Sequence, residues 1–450
     1  MTSFSHYGAW VLILFLVAMP VMAGAGTPAV DSGGEPVAPA MAHPRPGTAA
    51  QGVYLVKFKA AADPIRARED IRRLGISLES EYREVGVYRI RITPRAAGEQ
   101  ALERLQRLPS VEYVEPDYML RIADAPNDPW LPYQWALDNT GQNGGTDDAD
   151  IDAPEAWEKT TPLSPVVVAV IDTGVDHTHQ DLLHQMWTNP DEIPGNDKDD
   201  DHNGYVDDIY GVNTITRSGD PMDDNGHGTH CAGIIAAETN NGIGIAGVGE
   251  GVTIMALKFL DSSGSGYTSD AIEAINYAVA EKKRGTPVRV ISASWGGIFY
   301  SRALYKAIFT ARSHDILFVA AAGNNGLRND LLPFYPASYP QDNIIAVAAT
   351  DNTDHLASFS NYGWRAVDLA APGVAIISTV PGDSYAIFSG TSMAAPHVAG
   401  VAGLIFGEDP DASFLDVKQR ILAGVDRVPY LTGKVATGGR LNAVGALAAP

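Results

Sequence analysis

Cysteine is almost absent from this 450-residue chain, which contains only Cys231. A single cysteine excludes any intramolecular disulfide bond, so the fold has to rest on its apolar core. Charged residues are also few, at 19% of the chain, whereas apolar residues make up 45%. This balance excludes an intrinsically disordered chain and predicts a globular protein with a sizeable core.

Long apolar runs are scarce as well. The apolar segment 10–23 is shorter than the roughly 20 residues that a transmembrane helix requires. Small residues follow it, as at the cleavage site of a secretory signal peptide. We therefore expect a signal peptide over residues 1–25 and a secreted protein. Because the segment before the apolar run holds no Lys or Arg, a retained membrane anchor stays an alternative.

Acidic residues outnumber basic ones, and all of the excess lies in residues 124–450. The formal net charge is -22, and residues 124–450 carry 41 acidic residues against 18 basic ones. A domain this acidic is poorly suited to bind nucleic acid or an anionic membrane. We expect no nucleic-acid partner, and the acidic residues favour either solubility or cation binding.

The N-terminal third of the chain changes character twice. Residues 26–50 are rich in Ala, Pro and Gly without an apolar period, which predicts a flexible linker. Residues 51–123 predict a small α+β, ferredoxin-like unit with a split β-α-β layout. Its predicted strands are 53–58, 87–92 and 111–115, and its predicted helices are 63–74 and 98–108.

From residue 124 onward, continuous apolar strands alternate with helices. The predicted strands are 166–171, 254–260, 288–294, 316–321 and 344–349, and the predicted helices are 271–283, 302–311 and 393–406. Alternation of this kind implies a mostly parallel sheet that is covered by helices on both faces. We therefore predict one α/β domain over residues 124–450.

The most informative segment is 390–396, Gly-Thr-Ser-Met-Ala-Ala-Pro, which places Ser392 at the start of an apolar helix. A helix N-terminus offers free backbone N–H groups and a positive dipole. These features suit a serine that attacks a carbonyl group and generates an oxyanion. Serine is a weak nucleophile without a base, so the segment alone is weak evidence.

Two further segments supply the base and its partner. Asp172 ends the apolar strand 166–171, and His227 lies in Asn-Gly-His-Gly-Thr-His-Cys at 225–231. His227 would take the proton of Ser392, and Asp172 would hold the imidazole in one tautomer. Taken alone, Asp172 would be a turn residue, and His230 competes with His227 for the role of base.

These three segments, in the chain order Asp, His, Ser, resemble the signature motifs of the subtilisin-like serine proteases, or subtilases. A fourth segment, Ala-Ala-Gly-Asn-Asn-Gly at 321–326, resembles the oxyanion-hole segment of that family. The resemblance covers roughly residues 127–447, and Cys231 with the loop after it is most similar to the thermitase branch. It implies a subtilisin-like three-layer fold and a serine endopeptidase that acts on polypeptides.

The resemblance also implies roles for particular residues. The triad would be Asp172, His227 and Ser392, with Asn324 donating its amide to the oxyanion beside the backbone N–H of Ser392. The substrate-binding residues would be Ser294, Trp295 and Gly296 on one wall of the S1 pocket and Ala322 and Gly323 on the other. Phe334 lies near the expected pocket floor, where it either narrows S1 or belongs to the core.

The segment 197–208 suggests a calcium site, because its acidic residues alternate before a Gly turn as in an EF-hand loop. Its candidate ligands are Asp197, Asp199, Asp201, Asn203, Asp207 and Asp208. The final Glu of an EF-hand is missing at the usual spacing, so helices need not flank the loop. A solvated loop without a cation is the alternative.

Similarity to thermitase implies a second Ca²⁺ site that spacing alone does not predict. Its ligands would be the side chains of Asp128, Asp181 and Asn241 and the backbone oxygens of Glu238, Ile243 and Ile245.

Together these features predict a secreted, calcium-stabilised serine endopeptidase that is monomeric and made as a zymogen. Residues 51–123 would be the propeptide, which assists folding and then inhibits the enzyme from within the chain, with maturation between 121 and 127. An α/β-hydrolase esterase is disfavoured, because it needs Gly-x-Ser-x-Gly and the order Ser, Asp, His. A non-catalytic protein with the same fold is disfavoured, because Asp172, His227, Ser392 and Asn324 are all present.

Overall fold

The structure, a computed structural model, describes residues 49–59, 63–83, 85–92, 96–118, 126–160 and 164–449. The predicted signal peptide, the predicted linker up to residue 48 and the maturation region 121–125 lie outside these residues. The chain divides into two compact units, Met1–Ala123 and Asp124–Pro450.

The first unit contains two helices packed on an antiparallel sheet in its described residues. Its elements are β1 Ala49–Phe58, α1 Pro64–Arg73, β2 Ser77–Tyr82, β3 Val87–Arg91, α2 Ala96–Gln106 and β4 Val111–Tyr118. The strand order is β2-β3-β1-β4, which is that of the ferredoxin-like βαββαβ unit. Strand β2 was not predicted, because its sequence Ser-Leu-Glu-Ser-Glu-Tyr is mostly polar and no face of it is fully buried.

Local sequence explains why this unit folds. Val56 and Phe58 alternate along β1 and are buried with Ile71 of α1 and Leu105 of α2. Helix α1 begins after Asp63, whose Oδ1 accepts a 2.8 Å hydrogen bond from the N–H of Ile65. An acidic N-cap followed by proline is a common start of a helix.

The second unit contains the remaining elements. Its strands are β5 Val166–Asp172, β6 Gly211–Asn213, β7 Val252–Lys258, β8 Val288–Ala293, β9 Leu317–Ala321, β10 Ile344–Thr350, β11 Leu369–Pro372, β12 Ile376–Val380, β13 Ser384–Phe388, β14 Asp426–Arg427 and β15 Gly439–Arg440. Its helices are α3 Ala153–Trp157, α4 His227–Ala236, α5 Thr268–Arg284, α6 Arg302–Ser313, α7 Thr391–Glu408, α8 Phe414–Ala423 and α9 Ala443–Ala448. Short 3₁₀ turns lie at Leu131–Tyr133, Gln142–Gly144, Leu183–Gln185 and Pro429–Leu431.

A nine-stranded sheet runs through the described part of this unit in the order β14-β15-β11-β10-β9-β8-β5-β7-β6. Its strand pairs are parallel, apart from β14 with β15. Strands β12 and β13 form a separate antiparallel hairpin. The predicted, mostly parallel α/β sheet is therefore confirmed.

The sheet is the middle of three layers. In β5, Val168 and Val170 face a core that includes residues of α4, α7 and α8, whereas Val167 and Ala169 face a core built with α5 and α6. Because both faces are covered, β5 is apolar at every position before Asp172, as in other buried parallel sheets. Within the described segments, no helix is both long enough and apolar enough to cross a membrane.

The predicted boundaries differ from the structure by a few residues, and β7 shows why. The prediction was 254–260, whereas β7 ends at Lys258. The N–H groups of Phe259 and Leu260 both donate to the carbonyl oxygen of Asp172, at 2.9 and 3.1 Å, so the chain leaves the ladder there. Phe259 and Leu260 remain buried beyond the end of the strand. Their apolar side chains therefore reflect burial, and the predicted strand extended too far because burial was taken for strand structure.

Candidate active site

Three adjacent strands end at the same edge of the sheet and position three of the predicted site residues. Asp172 is the last residue of β5, Ser294 follows the end of β8, and Asn324 lies three residues after the end of β9. Since β5, β8 and β9 are parallel neighbours, their carboxyl ends meet. In α/β sheets this edge is where ligands bind.

Two helix starts complete the group. His227 is the first residue of α4, and Ser392 is the second residue of α7. The start of α4 packs very closely on β5, because a Cβ built on Gly228 would lie 2.1 Å from the carbonyl oxygen of Gly174. Glycine at position 228 therefore allows His227 to reach Asp172.

The imidazole of His227 is fixed by Asp172. The Nδ1 of His227 donates to Oδ1 of the buried Asp172 carboxylate at 2.7 Å. The same Oδ1 accepts a 2.7 Å hydrogen bond from the N–H of Thr173. Burial lowers the pKa of His227, but the charge of Asp172 and its hydrogen bond to the ring outweigh burial, and the pKa is raised. The arrangement stabilises an imidazolium and leaves Nε2 for proton transfer.

His230 is not available as a base. Its Nε2 lies 3.1 Å from the carbonyl oxygens of both Ile376 and Ala386, and its ring stacks on Phe388 at 4.3 Å. Burial, with a contribution from His227, lowers the pKa of His230 to about 3. His230 is therefore a neutral histidine that ties α4 to the β12–β13 hairpin.

The hydroxyl of Ser392 is engaged with a neighbouring carbonyl group. Its Oγ donates to the carbonyl oxygen of Ser294 at 2.9 Å, and the Oγ of Ser294 donates to the carbonyl oxygen of Ser392 at 2.8 Å. Transfer of the proton to His227 requires rotation of the Ser392 side chain. Catalytic hydrogen bonds are often long or poorly aligned before substrate binds and tighten only in the complex.

Cys231 is buried beside these residues. Its Sγ lies 4.0 Å from Nδ1 of His227 and 3.5 Å from the carbonyl oxygen of Ser392. Burial raises the pKa of the Cys231 thiol, so the thiolate that a cysteine nucleophile needs is disfavoured.

Asn324 is held in one orientation by Thr391, a residue that the sequence analysis did not single out. The Oδ1 of Asn324 accepts hydrogen bonds from the N–H and the Oγ1 of Thr391, both at 2.8 Å. The amide nitrogen Nδ2 thus remains the donor end of the side chain. The available sequence signal for Thr391 was its position directly before Ser392, the predicted nucleophile.

The two predicted walls of the substrate cleft also come together. The Nε1 of Trp295 donates to the carbonyl oxygen of Ile171 at 2.7 Å, which anchors the wall that carries Gly296. On the other wall, the carbonyl oxygen of buried Ala322 accepts from Nδ2 of Asn329 at 2.9 Å. The ring of Phe334 lies against Gly296 and Gly323, one glycine on each wall.

The acidic loop 197–208 uses many of its side chains to hold its own turns. Asp199 accepts hydrogen bonds from the N–H groups of Asn203 and Gly204, each at 3.0 Å. Asp207 accepts from the N–H groups of Asn196 and Asp197, at 3.2 and 2.9 Å. These backbone contacts, rather than a cation, balance part of the negative charge in the loop.

The other half of the predicted ligand set forms a compact cluster. Among the described residues, Asp201 and Asp208 join Glu192 in a group whose carboxylate oxygens lie within 4.8 Å of one another. The Nδ2 of Asn203 donates to Oδ2 of Asp201 at 3.0 Å and to Oδ2 of Asp208 at 2.8 Å. Glu192 was missed by the sequence analysis, because it lies five residues before the recognisable loop.

The cluster contains an unpaired buried oxygen. Oε1 of Glu192 accepts from the N–H groups of Asp200 and Asp201, at 2.8 and 3.1 Å, whereas its Oε2 is buried without a partner. Arg284 pairs with Asp201 and supplies one positive charge. A cluster of carboxylate oxygens, one of which has no hydrogen-bond partner, suits a hard cation such as Ca²⁺.

The two carboxylates of the second predicted cation site both contact the turn 240–245. Oδ1 of buried Asp181 accepts from Nδ2 of Asn241 at 2.8 Å, and its Oδ2 accepts from the N–H of Ile245 at 3.0 Å. Oδ2 of Asp128 accepts from the N–H of Asn240 at 2.9 Å, whereas Oδ1 of Asp128 is buried and unpaired. Burial raises the pKa of both carboxyl groups.

The remaining members of that set lie in the same turn. The N–H of Glu238 donates to the carbonyl oxygen of Asp181 at 2.9 Å, and the N–H of Ile243 donates to Oδ1 of Asn241 at 2.8 Å. Tyr385, which was not predicted, donates its hydroxyl to Oδ2 of Asp181 at 3.1 Å. The observation here that suits a hard cation is the buried, unpaired Oδ1 of Asp128.

Comparison with known proteins identifies the family. The model of the subtilase family matches residues 164–445. The chain belongs to the subtilase family. A second model, the fervidolysin N-terminal prodomain, matches residues 36–117.

Individual subtilases are similar over most of the chain. A thermophilic serine proteinase from Bacillus sp. (strain AK1) is 38% identical over 403 residues, which cover 89% of this chain and 88% of that protein. Thermitase from Thermoactinomyces vulgaris is 40% identical over 293 residues, or 65% of this chain and 92% of thermitase. A solved protease structure from Pseudoalteromonas arctica superposes with a TM-score of 0.58 at 29% identity, covering 72% of this chain and 98% of that one.

These findings confirm the predicted thermitase-like family, the subtilisin-like fold and the enzyme class. The protein is a subtilisin-like serine protease, a hydrolase that acts on polypeptides. Its N-terminal prodomain identifies it as a zymogen.

Proposed function

We propose that this subtilase is a secreted endopeptidase that cleaves peptide bonds through Asp172, His227 and Ser392. The observation that carries the proposal is the 2.7 Å hydrogen bond from Nδ1 of His227 to the buried Asp172. Ser392, at the N-terminus of α7, is close to this bond, because Sγ of Cys231 lies 4.0 Å from Nδ1 of His227 and 3.5 Å from the carbonyl oxygen of Ser392. A base held by a buried carboxylate next to a hydroxyl at a helix N-terminus is suited to acyl transfer.

The reaction proceeds in two halves. Oγ of Ser392 attacks the scissile carbonyl carbon while Nε2 of His227 takes the hydroxyl proton, and the imidazolium then protonates the leaving amine. Water next attacks the acyl ester and gives a proton to His227, and the carboxylic acid product leaves as Ser392 regains its proton. Asp172 stays ionised throughout.

Charge that develops on the carbonyl oxygen is balanced by two donors. One is Nδ2 of Asn324, whose other end is fixed by Thr391. The other is the backbone N–H of Ser392, in the first turn of α7, where N–H groups lack partners within the helix. An extended substrate would pair with Ser294–Gly296 as an added strand, with Ala322 and Gly323 on the opposite wall.

Calcium would bind at two places and stabilise the fold. Glu192, Asp201 and Asp208 would hold one ion beside the acidic loop, where Asp199, Asn203 and Asp207 shape the turns. Asp128, Asp181 and Asn241 would hold the other, with backbone oxygens of Glu238, Ile243 and Ile245. Unpaired oxygens of Glu192 and Asp128 support both sites, because a buried carboxylate oxygen without a partner destabilises the protein. Ca²⁺ supplies positive charge there and takes no part in the chemistry.

Synthesis as an inhibited, secreted precursor completes the proposal. Residues 1–25 would direct secretion, 26–50 would be a linker, and 51–123 would fold as the propeptide and inhibit residues 124–450 until maturation between 121 and 127. The similarity to a cell wall-associated protease of Bacillus subtilis, 37% identical over 332 residues, supports a location outside the cytoplasm. We expect the mature enzyme to act as a monomer without nucleic acid.

Replacement of the nucleophile tests the proposal. The full-length Ser392→Ala variant should fold, fail to digest casein and accumulate as uncleaved precursor if maturation is autocatalytic. Residual catalysis of about 10³-fold over water would come from the oxyanion hole and binding. Ser389→Ala is a matched control, because Ser389 is exposed in the same segment and only accepts a 2.8 Å hydrogen bond from Ala375. Casein digestion by Ser392→Ala at the wild-type rate would end the triad assignment.

A further inference from the structure

The ring of Phe334 lies between the two walls that would flank a substrate side chain. A Cβ built on Gly296 would be 2.4 Å from Cε1 and 2.9 Å from Cζ of Phe334. A Cβ built on Gly323 would be 3.1 Å from both Cδ1 and Cγ of the same ring. The same edge of the ring, from Cγ through Cδ1 and Cε1 to Cζ, therefore lies against both walls at once.

Both walls are held rigidly, so neither can move aside for a larger substrate. On the first wall, Gly297 and Tyr335 exchange two backbone hydrogen bonds of 2.7 and 2.8 Å, which fixes Gly296 relative to Phe334. On the second wall, the N–H of Asn361 donates to the carbonyl oxygen of Gly323 at 2.8 Å. A Cβ on Gly323 would also lie 2.5 Å from Nδ2 of Asn361, so the side chain of Asn361 packs on the same side of Gly323 as the ring.

The same walls are directly connected to the nucleophile. Ser294, two residues before Gly296, exchanges hydrogen bonds with Ser392, and the N–H of Gly323 donates to Oγ1 of Thr391 at 3.1 Å. The space between Gly296 and Gly323 thus adjoins Ser392. The substrate side chain nearest to Ser392 during acylation is that of P1, the residue that supplies the scissile carbonyl group.

We propose that Phe334 fills the S1 pocket, which receives the P1 side chain, and restricts this protease to cleavage after small residues, namely Gly, Ala and Ser. The inference rests on the proposed function and adds its substrate class. A methyl or hydroxymethyl group fits at the mouth of the pocket, whereas a Leu or aromatic side chain needs the volume that the ring occupies. A large P1 side chain in a pocket that is already filled would force side chains off their preferred rotamers. The scissile carbonyl carbon would then be misplaced relative to Ser392, which lowers the rate of acylation.

The alternative is that the Phe334 ring turns outward when a large P1 residue arrives. Phe334 is half-buried, and the adjacent Leu331 and Leu332 are 72% and 59% exposed. In that case the enzyme would accept Phe and Leu at P1 as well as Ala. The two possibilities make opposite predictions for the wild-type enzyme.

The experiment uses mature enzyme obtained from the full chain and three peptide p-nitroanilides that differ only in P1: Ala, Leu or Phe. Wild-type kcat/KM should be at least about tenfold higher for Ala than for Phe, within the range that pocket fit confers. Phe334→Ala should raise kcat/KM for the Phe substrate about tenfold or more relative to that for the Ala substrate. Phe309→Ala, on the outer part of α6, is the matched control and should leave the ratio unchanged.

Each outcome decides one point. Equal wild-type cleavage of the Ala and Phe substrates overturns the inference, and so does a preference for Ala that Phe334→Ala leaves intact. If Phe334→Ala does not fold, Phe334→Val removes the ring and answers the same question, and wild-type cleavage sites in a denatured protein test the preference without any variant. Failure to cleave any substrate, casein included, would instead refute the proposed endopeptidase function.

Discussion

Thr391 gives two hydrogen bonds to the same oxygen of Asn324, one from its backbone N–H and one from its Oγ1, each 2.8 Å long. A flip of the Asn324 amide would place its NH₂ group against both donors, so the observed orientation is strongly favoured. Oγ1 of Thr391 also accepts the 3.1 Å hydrogen bond from the N–H of Gly323. The residue before the nucleophile therefore connects the oxyanion donor, the pocket wall and α7.

Thr391→Val should reduce kcat roughly tenfold with little change in KM. Valine keeps the backbone hydrogen bond to Asn324 but loses the side-chain one, and a lost hydrogen bond of about 1.4 kcal/mol corresponds to tenfold in rate. Thr391→Ser retains Oγ and should restore kcat, which separates positioning from packing. A loss in Thr391→Ser that is absent from Thr391→Val would mean that the methyl group of Thr391, rather than its hydroxyl, matters.

Asn324→Leu should lower kcat by about 10²–10³, the usual effect of removing one oxyanion-hole donor. KM should change little, because the donor acts on charge that is present only in the transition state. Asn325→Leu is a matched control, since Asn325 is the adjacent exposed asparagine. A loss confined to KM would make Asn324 a substrate-binding residue instead.

The sequence was most informative for strands of five or more residues that are buried along nearly their whole length. Strands β5, β8, β9 and β10 are buried at nearly every position and were all predicted. Strand β13 was missed, because Ser384–Phe388 is only partly buried and its ladder with β12 is made by the backbone. The pattern of apolar residues along a strand reflects the burial of its side chains. The pattern is therefore weak in strands that are held mainly by backbone hydrogen bonds.

The candidate site shows the same limit. Asp172, His227, Ser392 and Asn324 stand in short motifs whose residues are close along the chain. Glu192 and Tyr385 contribute through contacts made in three dimensions, with Asp208 and Asp181 respectively. Linear spacing carries no information about such contacts, so only the fold brings them together.

The pH dependence of activity should follow His227. Burial lowers its pKa, but the charge and hydrogen bond of Asp172 raise it more, so the pKa lies above the ordinary value of about 6.5. Because His227 must be neutral to accept the proton of Ser392, kcat/KM should fall as the pH drops through this raised pKa. The acid limb of the profile should therefore lie at a higher pH than that of an unperturbed histidine.

Asp172→Asn tests the cause of that shift. Loss of the carboxylate should move the acid limb to lower pH and also reduce kcat strongly, because the imidazole tautomer is no longer fixed. Asp176→Asn is the control, since Asp176 accepts hydrogen bonds from Thr178 and Gly382 rather than from His227. An acid limb at the same pH in Asp172→Asn would show that Asp172 does not control the pKa of His227.

Calcium should stabilise the folded enzyme, and the unpaired oxygens of Asp128 and Glu192 allow the two sites to be separated. At a hundredfold excess over Kd, one site contributes about 2.7 kcal/mol, or roughly 4 °C in Tm for a domain of this size. The Ser392→Ala background prevents autolysis during the measurement. Asp128→Asn and Glu192→Gln should each remove part of the Tm difference between EDTA and millimolar calcium.

The sign of the effect in EDTA distinguishes a cation site from a solvated acidic surface. Without calcium, Glu192→Gln relieves repulsion among Glu192, Asp201 and Asp208, so its Tm should equal or exceed that of the parent. With calcium the order should reverse, because the variant loses a charged ligand. Asp199→Ala with Asp201→Ala should also reduce the calcium effect, but it additionally breaks the pair with Arg284 and so lowers Tm in EDTA. An identical Tm in EDTA and in calcium, after prolonged chelation, would show that neither cluster binds the ion.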